Sequence, residues 1–103
     1  MHVGVMRLVF HIPHARSLKD KRSVVRRFRD RVQAAHHVSI AEVADQDLHQ
    51  KATFGVAVVS GDAAVVDSVL EAVARDANVQ PDAVLVHRST EVIPMGDEEL
   101  AGG

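Results

Sequence analysis

The run VGVMRLVFHIPHARSLKDKRSVVRRFRDRVQAA, residues 3 to 35, contains the change of period on which the fold turns. From Val3 to Ile12 the apolar residues alternate: Met6, Leu8, Phe10 and Ile12 fall on one side, and Val3, Val5 and Val9 on the other. That period of two belongs to a strand. After Pro13, His14, Ala15 and Arg16 the spacing widens to that of a helix, with Leu18, Val24, Val25, Phe28, Val32 and Ala35 on one flank. Ser17 is placed to cap this helix and Asp20 to complete a reciprocal capping pattern, so the helix is expected from Leu18 to about Ala35. Lys21 falls inside the apolar arc, where its stem is expected to pack while its ammonium reaches water.

The same patterns continue outward. Val38 to about Ala44 and Ala52 to Val59 read as strands joined through a turn at Asp45, Gln46 and Asp47. Asp62 stands as the cap of a second helix, whose buried face is expected at Val65, Val66, Val69, Leu70 and Val73 and whose outer face should pair Glu71 with Arg75. A fourth strand lies within Ala83 to Ile93. The order β-α-β-β-α-β, with right-handed crossovers, gives a ferredoxin-like α+β sandwich: a four-stranded antiparallel sheet with two helices on one face. One domain is expected over 1–93, with a flexible acidic tail over 94–103.

Two helices cover one side of such a sheet, yet the first strand carries valines on both. The third strand repeats the problem, since Phe54, Val56 and Val58 oppose Ala57 and Val59. A homodimer formed through the second sheet face is therefore expected.

Composition narrows the function classes. The chain has 103 residues and no cysteine, which removes disulfides and thiolate chemistry. The opening apolar segment is too short to span a membrane and lacks the basic start of an export signal, so a cytoplasmic location without membrane contact is expected. Net charge is −2, but it is unevenly spread. Residues 1–50 hold nine Lys/Arg against five Asp/Glu, and residues 61–103 hold two against nine. Lys19, Arg22, Arg26 and Arg29 recur at helical spacing on one flank of the first helix, and Arg16, Arg27 and Arg31 enlarge the positive region. Asp30 is expected to offset part of the stripe by pairing with Arg26. The stripe suits RNA phosphates, a ribosomal surface, an acidic protein or a small anion. With three phenylalanines and no Tyr or Trp, base stacking on the sheet is not indicated.

Several features could belong to an enzyme. His11 and His14 flank Pro13, and His36 and His37 end the first helix, but neither pair has a recognised metal-binding spacing. Asp45, Asp47 and His49, with Glu42, supply the ligand types of a divalent metal site or a carboxylate-oriented base, which would make a metal- or anion-dependent hydrolase. Against this, aspartates at a turn commonly bond to backbone. Glu42 is a separate puzzle: alternation places it beside Val38 and Ile40, where it needs a bulge, an emerging surface or a cationic partner. No catalytic residue and no cofactor is assigned. A noncatalytic binding module is the favoured reading, with the hydrolase and a structural adaptor as alternatives.

The runs VGVMRL at 3–8, HIPHARSLKDKR at 11–22 and VSIAEVADQDLHQKATFGVAVVS at 38–60 resemble the YlxP-like family, small bacterial proteins grouped as a domain of unknown function. The resemblance covers about residues 1–93. It implies the ferredoxin-like fold and self-association, and it directs attention to Arg16, Ser17, Leu18, Lys19, Lys21 and Arg22. A second set is Ala41, Glu42, Val43, Gln46, Asp47, Leu48 and Gln50, of which Glu42, Gln46, Asp47 and Gln50 are expected to form a surface specific to the family. His49 stands where relatives often carry an aromatic residue. Because genes of this family often neighbour those of translation, the resemblance also implies a role at RNA or the ribosome.

Overall fold

The computed structural model of the chain describes residues 1–96. Six elements follow in order: β1 His2–His11, α1 Leu18–Ala35, β2 Ser39–Ala44, β3 Lys51–Ser60, α2 Ala63–Asn78 and β4 Val84–Pro94. The four strands form one antiparallel sheet in the order β2-β3-β1-β4. Each helix returns the chain to a strand two places away, as the ferredoxin-like sandwich requires.

Alternation decides which side the helices cover. Met6, Leu8 and Phe10 of β1 and Phe54, Val56 and Val58 of β3 are buried against Val24, Val25, Phe28 and Val32 of α1 and Val66, Leu70 and Val73 of α2. Phe10, Phe28 and Phe54 meet edge to face, with centroids 5.0 to 5.7 Å apart. All the aromatic area of the chain thus lies in the core, where such pairs add about 0.5–1.5 kcal/mol each beyond burial. Gly4 is the one strand position where α2 comes too close for a side chain: an added methyl would overlap Val66 and sit 2.8 Å from Leu70 Cδ1.

Some expectations need correction. Ala35 and Val65 are exposed, and their places in the core are taken by Lys21 on α1 and by Ala74 and Ala77 on α2. Glu71 bonds not to Arg75 but to Arg88 of β4, because α2 packs over that strand and a cross-element partner is nearer than one along the helix. The sheet also runs past the boundary set by composition: β4 includes Pro94, and Met95 and Met1 exchange backbone bonds of 2.7 and 3.0 Å. The remainder of the expected acidic tail, 97–103, lies outside the described residues.

The other sheet face carries no helix. Val59, Val84 and Ile93 are exposed on it, with Val43 at the β2 edge. Val3 and Val5 are half-buried there by their neighbours.

Candidate functional site: the α1 flank and the loops that anchor it

The start of α1 is locally determined. Ser17 Oγ accepts from the Asp20 N–H at 3.1 Å, while Asp20 Oδ2 accepts from the Arg16 N–H at 3.0 Å, one residue earlier than in the usual reciprocal cap. The Ser17 hydroxyl and the Asp20 carboxylate thus serve the helix itself, leaving Ser17 a cap.

The sequence expectation for Lys21 is overturned. Its side chain is 2% exposed, and its ammonium turns inward to donate to the Asp45 carbonyl at 2.6 Å and to stand 2.7 Å from Glu42 Oε2. Glu42 Oε2 makes no hydrogen bond of good angle, so its contact with the ammonium is chiefly Coulombic. This resolves the Glu42 puzzle through a cation. A bulge between Glu42 and Ala44 adjusts the strand beside it. The stem of Lys21 cannot lead to water because the β2–β3 connection closes over it.

Asp45 is the pivot of that connection. Its backbone is left-handed, φ 61°, a conformation that Asp tolerates at turns. Thr53 Oγ1 donates to Asp45 Oδ2 at 2.7 Å, and the Lys51 ammonium lies 3.5 Å from the same oxygen. The Thr53 hydroxyl, with help from Lys51 and Lys21, holds the Asp45 carboxyl below the usual carboxylate range. Asp45 is thereby committed to its own loop, while Asp47 and His49 are exposed beyond it. Among the described residues no group of three or more His, Asp or Glu gathers as a metal site.

Gln50 ties the two loops together. Its side-chain amide donates to the Pro13 and Ala15 carbonyls at 3.3 and 3.2 Å, and its backbone carbonyl accepts from the Ile12 N–H at 2.9 Å. Gln46 donates within its own turn, to the Glu42 carbonyl at 3.4 Å. Of the surface set Glu42, Gln46, Asp47 and Gln50, then, Gln50 locks the loop after β1 to the loop before β3, and Glu42 holds β2 to α1 through Lys21. Sequence reading had offered them as a surface. It missed this joint because the two halves of each contact lie 21 to 37 residues apart.

The arginines of α1 separate into two sets. On the flank toward α2, Arg27 reaches Asp82 at 3.7 Å, and Arg31 reaches Asp76 at 3.9 Å and Gln80 at 3.3 Å. His36 adds a bond to Asp76 at 2.8 Å. On the opposite flank Lys19, Arg22 and Arg26, with Arg16 before the helix, are exposed, and among the described residues no carboxylate lies within ion-pair distance of them. Arg29 is half-buried and pairs with Asp30 at 3.6 Å, so Asp30 offsets Arg29 and not Arg26 as expected. From Lys19 to Arg26 the free stripe climbs about 10 Å along the helix.

A family model described as a protein of unknown function (DUF503) matches residues 3–90. The chain belongs to that family. It is also 50% identical over 46 residues to the uncharacterized protein YlxP of Bacillus subtilis (strain 168), an alignment covering 45% of this chain. The chain thus spans about half, 50%, of that relative's length. Two solved structures share the fold: the de novo designed protein Foldit4 and the de novo designed protein LFR1 1 with ferredoxin fold. Foldit4 has a TM-score of 0.54 at 9% identity, covering 93% of this chain and 100% of that one. LFR1 1 has a TM-score of 0.56 at 14% identity, covering 93% and 88%. At those identities the likeness concerns the fold alone.

Proposed function

We propose that this member of the family is a noncatalytic binding module that docks on RNA, in the setting of the ribosome, through the exposed flank of α1. The observation that carries the reading is the division of the α1 cations. Arg27 and Arg31 have carboxylate partners that hold α1 to α2 and the loop beyond it, whereas Arg16, Lys19, Arg22 and Arg26 have none among the described residues. An array of unneutralised cations at helical spacing on a fixed helix suits phosphate oxygens, which are met without reading bases. All three phenylalanines are buried, which favours a helix-centred backbone contact over base stacking on the sheet.

The test uses purified ribosomes and a short fluorescent single-stranded RNA, titrated at several salt concentrations. Replacing Lys19, Arg22 and Arg26 together by Gln is expected to weaken binding at least about tenfold and to lower the slope of log K against log salt by about 2. Replacing Arg27 by Gln, a loss of one charge on the other flank, should cost less than the same single replacement of Arg22. Absence of binding by the unmodified protein, or equal losses in the two variants, would refute the assignment; binding to an acidic protein in place of RNA would do the same.

A further inference from the structure

The middle of the helix-free face is apolar except for two opposed charges, while His11, Lys51 and His87 lie on the same face toward its far end. Arg7 lies on β1 opposite Ser89, and Glu91 lies on β4 opposite Val5, so the two are diagonal neighbours on the same face. Both are exposed, and no ion pair joins them within the chain. Around them stand Val3, Val5, Ala57, Val59 and Ile93, and between β2 and β4 the face dips into a concavity of 480 Å³ floored by Gly55.

We propose that this face is the contact surface of a symmetric dimer of the chain, with each Arg7 set against the partner's Glu91. A two-fold contact presents the same patch from both sides, so it must be self-complementary. One cation and one anion on an apolar field meet that condition. A face with charge of one sign would repel its copy, and a heterologous partner would not require both signs. Size agrees: four strands about 4.8 Å apart and ten residues rising about 3.3 Å each give a face on the order of 600 Å². Side-chain relief raises this toward the roughly 800 Å² per partner of a stable interface. The surface is independent of the α1 flank, which lies on the other layer.

Size-exclusion chromatography with light scattering, from about 1 to about 100 μM, reads the result directly. The unmodified chain is expected to be a dimer. Arg7→Glu and Glu91→Arg, each of which sets like charges across the axis, should raise the dissociation constant at least about tenfold. Mixing these two variants should restore dimers, because every pair across the axis is then opposite in sign. That restoration cannot arise from a bond within one chain. Both sites are exposed, so circular dichroism should be unchanged. A monomer across the whole range, an undiminished dimer in the single variants, or a mixture that stays monomeric would overturn the assignment.

Discussion

Replacing Lys21 by Met keeps the packing stem of a buried side chain and removes only its charge. The Asp45 carbonyl then loses its donor at 2.6 Å and the Glu42 carboxylate its cation at 2.7 Å. Orphaning a buried charge costs about 3–5 kcal/mol, and an unsatisfied buried carbonyl about 1–3 kcal/mol. Glu42 retains 19% side-chain exposure, so water compensates part of its loss. A net destabilisation of about 3 kcal/mol is expected, which lowers Tm by roughly 12–24 °C in a domain of this size. Urea unfolding followed by far-ultraviolet circular dichroism is the suitable assay, because the chain has no Trp or Tyr to report by fluorescence. A second variant, Lys21→Met with Glu42→Leu, should recover at least about 1.5 kcal/mol by removing the orphaned carboxylate. A loss below about 1 kcal/mol with an unchanged m-value, or no recovery in the double variant, would show that the ammonium is not held by this loop.

Gly4→Ala should also destabilise, by about 1–3 kcal/mol, although alanine ordinarily suits a strand better than glycine; the added methyl drives into Val66 and Leu70. A lower urea midpoint at constant m checks it. Acid sensitivity has a defined sign. In the folded protein the Asp45 carboxyl is lowered chiefly by the Thr53 hydroxyl, and that of Glu71 chiefly by its bond to Arg88. Each therefore stabilises the fold above the unfolded carboxylate range and loses that contribution as pH falls through its lower folded value. Urea midpoints should decline from about pH 5 downward, and Thr53→Val should flatten the decline. An unaltered acid limb in that variant would remove Thr53 as the cause.

What the sequence made legible was what depends on period and local chemistry. The change of period between Ile12 and Leu18, the caps at Ser17 and Asp62 and the two-sided apolarity of β1 and β3 are all short-range patterns, and each appears where expected. Pairings between distant elements were not legible. Lys21 read as a residue whose charge escapes to water because the loop that closes over it lies 24 residues away. Arg27 and Arg31 read as extra positive surface because their partners, Asp82 and Asp76, belong to another element. Glu42 was partly legible: an acid on an apolar face needed a bulge, an emerging surface or a cation, and the structure supplies the cation as Lys21.

Two of the three runs that carry the family resemblance, 11–22 and 38–60, meet beside α1, and their meeting separates the residues within them by role. Lys21 of α1 bonds to Glu42 of β2 and Asp45 of the β2–β3 connection, and Gln50 ties that connection to the loop after β1, so the fold accounts for all four. Arg16, Lys19 and Arg22 belong to the same run, yet among the described residues their side chains meet no carboxylate. Like charges at three- and four-residue spacing weaken a helix slightly, so stability gives no reason for the stripe. Their bearing is fixed by what the other residues do: Lys21 pins the first turn of α1 to the β2–β3 connection, and Arg27 and Arg31 pin its opposite flank. On the proposed reading, a cationic face that meets no carboxylate among the described residues, held on a helix pinned from both sides, is pre-organised for an external anion.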